Sequence, residues 1–213
     1  MRLCVVTPVG PGHRELSLEC ARSVAEAWES YRTPFKSMVH AMPDDSEGRL
    51  GRSRTRNMAV EANRDADWFF FIDADDLCNP SAFHSFEQAR VLDPLVQAVF
   101  GAIETDRHGI IGENRYPLDW DKLLEYGARG TLSMGCFIRA DVANAVKFNE
   151  DMDQAEDFDF YLRALNGRKW TKVAQPLVLI RRNLGNAGGP RGLKSSDWRG
   201  ACQKVVDRWK AEA

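Results

Sequence analysis

The sequence has no apolar run that approaches the roughly 18 residues needed to cross a bilayer; its longest, Trp68 to Ile72, is the size of one β-strand. Its amino terminus passes from Met1-Arg2 through four apolar residues to Thr7-Pro8, too short for the apolar region of a secretory signal. Cysteine is sparse: five residues, widely spaced, with no Cys-x-x-Cys, and four isolated histidines complete no zinc spacing. These absences predict a reduced, zinc-free, cytoplasmic protein with no integral membrane segment. Charge imbalance is lacking too. A net charge of −2 and a pI near 6.1 argue against binding nucleic acid through bulk charge, although a local basic groove stays open. There is no internal repeat, no low-complexity tract and no linker rich in Pro, Gly or Ser. The 213 residues therefore suit a single domain, 1–213, able to bury a full core without a metal or disulfide staple.

What is present is an alternation of strand and helix patterns up to about Glu104. Leu3 to Thr7 reads as a buried first strand closed by Pro8 and Gly10, and Leu16, Cys20, Val24 and Trp28 then recur at helical spacing. Phe35 to Ala41 reads as a second strand stopped by Pro43-Asp44-Asp45-Ser46. Ser53 is placed to cap a helix carrying Met58, Ala59 and Ala62, and Trp68 to Ile72 is the third strand. Such alternation implies right-handed crossovers and a mainly parallel sheet, hence an α/β fold. After Val96 to Ile103 the rhythm changes: Asp106-Arg107-His108-Gly109 reads as a turn, and Leu132 to Ile138 and Lys172 to Ile180 as strands of a mixed second half. Trp198, Cys202, Val205 and Trp209 mark a C-terminal amphipathic helix behind Ser195-Ser196.

The strongest local feature is the join of Trp68-Phe69-Phe70-Phe71-Ile72 to Asp73-Ala74-Asp75-Asp76, the most apolar strand ending in three carboxylates. Ligands of open parallel sheets sit beyond the carboxyl ends of strands. Asp73 and Asp75, two apart, project to one side if the chain stays extended. Crowded carboxylates repel one another unless a cation or donors lie between them, and Mg²⁺ or Mn²⁺ suits carboxylates plus diphosphate oxygens. The plainer reading is that these aspartates end a strand and cap the helix near Pro80. A second acidic run, Glu150 to Asp157, leads into a helix with Phe158, Tyr161, Leu162 and Leu165 on its core face. A carboxylate in that first turn is favoured as the anion by the helix dipole, which holds its pKa low unless burial opposes it. Taken alone, plain dipole complementation is the better account of the run. The third feature is basic: Arg52, Arg54 and Arg56 alternate, Asn57 follows, Arg181-Arg182-Asn183 ends the last strand, and a glycine-rich stretch leads to Arg191 and Lys194. Solvated surface arginines and a flexible linker are the bland alternative.

The order of these features resembles family 2 of the glycosyltransferases. Thr7-Pro8, Asp44-Asp45-Ser46, Arg56-Asn57, Asp73-Ala74-Asp75-Asp76, Gly135 to Arg139, Phe148-Asn149-Glu150 and Glu156-Asp157-Phe158-Asp159 follow in sequence, covering roughly residues 3 to 183. The Asp-x-Asp alone is a weak signal; its pairing with Glu156-Asp157 is far more specific. The resemblance implies the GT-A fold of nucleotide-diphospho-sugar transferases, a Rossmann-type sheet with a nucleotide-sugar half (1–104), an acceptor half (105–183) and a loop with C-terminal helix (184–213). It implies that Thr7, Pro8 and Val9 line the base pocket, that Asp44 or Asp45 meets the base or ribose, and that Arg56 helps hold the nucleotide. Asp73 and Ala74 would meet the ribose or donor sugar. Asp75, with Asp73 and Asn183, would hold the divalent metal, and Arg181 and Lys194 the diphosphate. Asp157 stands where the family has its general base, with Glu156 beside it.

The implied reaction is an inverting single displacement from a nucleoside diphosphate sugar, UDP-linked in most relatives, onto an acceptor hydroxyl. Asn183 stands where many relatives carry a histidine, and Val9-Gly10-Pro11-Gly12-His13 replaces the family's Tyr-Asn after the first-strand proline. The acceptor classes left open are a saccharide, a lipid-linked saccharide, a protein and a modified nucleic acid base. A nucleotidyltransferase of related fold, or a nucleotide-sugar-binding domain without chemistry, are the competing readings; Gly10-Pro11-Gly12-His13-Arg14 matches the former's basic glycine loop only faintly.

Overall fold

The structure, a computed structural model, describes residues 1–31, 33–106, 109–111, 119–126, 132–181 and 195–212. The strands are β1 (Arg2–Val6), β2 (Ser37–Ala41), β3 (Trp68–Phe71), β4 (Leu77–Cys78), β5 (Ala98–Thr105), β6 (Gly109–Ile111), β7 (Cys136–Arg139) and β8 (Trp170–Ile180). The helices are α1 (Arg14–Ser30), α2 (Arg52–Ala62), α3 (Ala82–Leu92), α4 (Trp120–Tyr126), α5 (Ala140–Val146), α6 (Glu156–Leu165) and α7 (Ser195–Glu212). Among the described residues eight strands join one sheet in the order β2-β1-β3-β7-β5-β8-β4, with β6 pairing β5. β1 runs parallel to β2 and β3, and β5 parallel to β8, whereas β7 is antiparallel to both β3 and β5. A parallel first half continues into a mixed second half, as the α/β reading expects.

The sheet is covered on both faces, which explains why its strands are apolar at consecutive positions rather than alternately. Leu3, Val5, Trp68, Phe70, Val99 and Phe137 pack with Cys20 and Val24 of α1 and Phe83 and Phe86 of α3. Cys4, Val6, Phe69, Phe71, Phe100 and Cys136 pack on the other face with Ala59 and Val60 of α2, Phe158 to Leu162 of α6 and Cys202, Val205 and Val206 of α7. The period-two alternation of a strand thus feeds two cores. All five cysteines are free and buried, and burial pushes each thiol's pKa up, so they pack as small hydrophobic side chains.

Two expected details differ. Ser53 does not cap α2: the cap position is Gly51, at φ 79°, a region open to glycine. Asp45 instead organises the loop that leads into the helix, accepting the N–H groups of Arg49 (2.8 Å), Leu50 (3.0 Å) and Gly51 (2.8 Å). And the residues after Ile72 leave the sheet at once. Asp76 N–H donates to Asp73 C=O at 3.1 Å, closing a turn, so Asp73 and Asp75 meet through a turn and not through strand alternation. Gly135, at φ 100°, opens β7 where a Cβ would stand 2.4 Å from Val178; only glycine lets this segment close against β8 while its N–H reaches Phe71 C=O at 2.8 Å.

Candidate active site

The parallel strands β1 and β3 deliver Thr7 and Asp73 to the same end of the sheet, beyond the carboxyl ends of both strands. The segments after β1 and β2 stay together beyond it: Val9 N–H donates to Pro43 C=O at 3.0 Å and Asp45 N–H to Val9 C=O at 2.8 Å. In this paired rim Thr7 is fully buried and Val9 nearly so. The Thr7 hydroxyl lies 2.9 Å from His40 Nε2, and burial lowers the His40 pKa to about 4, leaving a neutral ring. Pro8 keeps partial exposure, and Asp44 is exposed, its carboxylate accepting the Ser46 N–H at 2.8 Å. Backbone and side-chain bonds from Ser46 hold the Asp44 pKa down. Asp45 turns its acceptors into the loop, so Asp44 is the member of the pair that faces solvent.

The turn after β3 gathers Asp73, Asp75 and Asp76, each offering an oxygen within 4.8 Å of the others. Burial raises the pKa of Asp75, and the neighbouring Asp73 charge raises it further, against opposing pulls from His13 and Arg181. Asp76, buried, is pushed well up by desolvation and by both other aspartates. Hard oxygens crowded together and short of positive charge fit a divalent cation. Asp76 went without a role in the sequence reading, although Asp-x-Asp-Asp in a turn brings its first and fourth residues together. Arg181 braces the cluster from β8: its N–H donates to Asp76 Oδ1 at 3.1 Å and its Nε to the Asp75 carbonyl at 2.5 Å, while Nη1 pairs with Glu19. Asn183 and Lys194, with Arg182 and Arg191, lie outside the described residues.

The two acidic motifs meet at Arg56. Its Nη2 donates to Asp73 Oδ1 at 2.7 Å and its Nη1 to Glu156 Oε1 at 3.1 Å. Arg56 and Glu156 are each 3% exposed in their side chains, so one buried guanidinium joins carboxylates that lie 17 and 100 positions further along the chain, with Arg52 Nε adding a second contact to Glu156 Oε1 at 3.5 Å. Burial alone would lower the Arg56 pKa; Asp73 and then Glu156 more than reverse this. The side chain is seated over the Phe148 ring, 5.2 Å from its centroid, and Phe148 stacks on Phe160 at 4.0 Å. Asn57, the next residue, fastens this floor: it donates to Phe148 C=O (2.9 Å) and Glu150 Oε1 (2.8 Å) and accepts the Phe148 N–H (2.8 Å).

Asp157 stands beside Glu156 at the start of α6, with Oδ1 accepting the Phe158 N–H at 2.8 Å. Here the dipole does not prevail. Desolvation, then the Glu156 charge, raises the Asp157 pKa to about 7, with Arg56 and the Phe158 N–H opposing and Asp73 adding to the rise. Glu156 takes the arginine, and Asp157 is left as a carboxyl that gains or loses its proton near neutrality. Tyr161, one turn on, buries a hydroxyl that has no hydrogen-bond partner among the described residues.

No protein-family model matches the chain, and no curated protein matches it by sequence. Solved structures do match it in shape. Residues 1–349 of S. aureus TarS in complex with UDP-GlcNAc superpose with a TM-score of 0.68 at 15% identity, covering 97% of this chain and 65% of that one. Mannosyl-3-phosphoglycerate synthase from Rubrobacter xylanophilus gives 0.59 at 14% identity, covering 100% and 74%. Glucosyl-3-phosphoglycerate synthase from Mycobacterium tuberculosis, in complex with Mn²⁺, UDP and phosphoglyceric acid, gives 0.57 at 12% identity, covering 96% and 78%. The chain spans about two thirds of the TarS segment's length. Its architecture is the GT-A fold of the glycosyltransferases.

Proposed function

We propose that this chain is an inverting glycosyltransferase that moves a sugar from a nucleoside diphosphate sugar, UDP-linked, to an acceptor hydroxyl. The observation that carries the reading is the Arg56 bridge. It sets a cation-seeking carboxylate cluster and a proton-accepting carboxylate on two sides of one buried guanidinium, and a displacement at an anomeric carbon needs both beside it. The GT-A fold, seen in structures solved with UDP, UDP-GlcNAc and Mn²⁺, supports the same reading.

On this reading the half up to residue 104 takes the donor and residues 105–183 face the acceptor. Pro8 and Val9 border the base, and Asp44 accepts from base or ribose. Thr7 acts through His40, and Asp45 by shaping the loop before α2. Asp73, Asp75 and Asp76 would hold a divalent cation, Mn²⁺ or Mg²⁺, whose charge would stabilise the departing diphosphate. The acceptor oxygen attacks the anomeric carbon from the face opposite the diphosphate, the bond to the diphosphate oxygen breaks, and the acceptor's proton passes to Asp157. A base with a pKa near 7 is matched to this work at neutral pH. Among the described residues no helix is long and apolar enough to cross a membrane.

The test is thermal stabilisation by a panel of nucleoside diphosphate sugars with and without Mn²⁺, since a ligand of the folded state raises its midpoint. A metal-dependent shift with one or more UDP-sugars, absent with nucleoside triphosphates, is expected. Stabilisation by triphosphates alone would move the chain to nucleotidyl transfer.

A further inference from the structure

The first turn of α6 is held by a second anchor besides Arg56. Asp159, with no exposed surface, accepts from Arg163 Nε at 2.8 Å and pairs with Arg208, which reaches in from α7 with its own side chain 45% exposed. Arg163 in turn donates through Nη1 to the carbonyls of Val146 (2.6 Å) and Lys147 (2.9 Å) at the end of α5. Glu156 and Asp159, three residues apart, lie on one flank of the helix, and Asp157 sits between them. α7 also packs on the core face of α6, where Cys202, Val205 and Val206 share a cluster with Phe158, Tyr161 and Leu162.

We propose that Arg208 is a positioning residue for the reaction: by pairing with Asp159 it fastens the C-terminal helix to the first turn of α6 and so sets the direction in which the Asp157 carboxylate faces. This inference rests on the reading of Asp157 as general base. Without Arg208, Asp159 keeps Arg163 as its counter-charge, and Cys202, Val205 and Val206 keep α7 in the core. The variant therefore folds, with the turn that carries Asp157 free to shift. A misplacement of about 1 Å in a reacting group costs on the order of 100-fold in rate.

The experiment follows UDP release from UDP-glucose and UDP-GlcNAc, with water as acceptor, beside the thermal stabilisation each donor gives. In that hydrolysis the water oxygen bonds to the anomeric carbon, its proton passes to Asp157 and UDP leaves. Arg208→Met is expected to lower kcat about 10- to 100-fold while KM and the donor-induced shift stay unchanged, and Arg208→Lys is expected to restore most of the loss. Wild-type kcat in Arg208→Met, a loss that lysine fails to recover, or a parallel loss of donor stabilisation would each overturn the proposal. Should Arg208→Met not fold, Asp159→Asn carries the same expectation, and full turnover in it overturns the proposal equally. Full turnover in Asp157→Asn refutes the base assignment and this inference together, as does a wild-type chain that hydrolyses neither donor. A dead Asp157→Asn beside an unimpaired Arg208→Met refutes this inference alone.

Discussion

The turn after β3 and the first turn of α6 are both short acidic motifs, and the structure treats their carboxylates in opposite ways. In the turn, three aspartates stand within 4.8 Å of one another; Arg56 pairs with Asp73, while burial and mutual repulsion raise Asp75 and Asp76 against the pull of Arg181. In the helix the division is unequal: Glu156 has Arg56 and Arg52, while Asp157 has the desolvation. The same side-chain chemistry yields a site that wants a metal in one place and a site that wants a proton in the other. Partners decide this, and the spacing of acids along the chain does not.

The sharpest way to break the comparison is Asp157→Asn. An amide keeps the shape and the contact with the Phe158 N–H but cannot take a proton, and general-base catalysis is worth about 10²- to 10⁴-fold. Turnover is expected to fall by that range with donor binding retained. In the wild type, kcat/KM should rise with pH through about 7 as the carboxyl loses its proton. Undiminished turnover in the asparagine variant would leave Asp157 no more special than its neighbours. Arg56→Met comes next, because it removes the residue common to both motifs. Glu156 would be left buried without its main partner, and breaking a buried ion pair from one side costs about 3–5 kcal/mol, to be read in a denaturant titration. A cost below 1 kcal/mol would mean that Arg52 alone satisfies Glu156.

Much of this was legible before any coordinates. The continuous apolar runs of β1 and β3 announced a sheet buried on both sides, and the helical period of Leu16, Cys20, Val24 and Trp28 announced α1. The pairing of Asp73-Ala74-Asp75 with Glu156-Asp157 pointed to the two acidic motifs that Arg56 joins. What was hidden is where each polar atom spends its hydrogen bonds. Nothing in Asp44-Asp45 distinguishes the exposed aspartate from the one that organises the loop before α2, because that choice depends on three N–H groups that converge only when the loop folds. Asp157's raised pKa was equally out of reach, since the helix dipole is local and visible in sequence, whereas the dense packing behind α6 comes from elsewhere in the chain. Arg208 was invisible for the same reason: its partner lies 49 positions away on another helix.

A smaller effect separates the metal-seeking cluster from the rest. Asp75→Ala removes one hard ligand and some of the repulsion on Asp76, so donor affinity in Mn²⁺ is expected to weaken about tenfold, or 1.4 kcal/mol, and to lose its metal dependence. Calorimetry showing the same affinity with and without Mn²⁺ in both proteins would remove the cation from the description of this turn.

The least conspicuous difference is one of stability against pH. Asp157 binds its proton more tightly folded, at about 7, than at its ordinary value of 3.8. Below pH 4 the carboxyl is protonated in both states and costs nothing. As pH rises from 4 to 7 the unfolded chain ionises it first, so the folded state loses stability over that window, and above 7 the loss levels off. Asp157→Asn removes the titration, so its midpoint should match the wild type near pH 4, exceed it progressively up to pH 7 and stay above it by a constant amount at pH 8. Glu156→Gln should instead lower stability at neutral pH, because it takes the counter-charge from Arg56. A paired set of melting curves across pH 4 to 8 reads both signs at once, and an asparagine variant less stable than the wild type at pH 8 would show that Asp157 is stabilised as the anion after all.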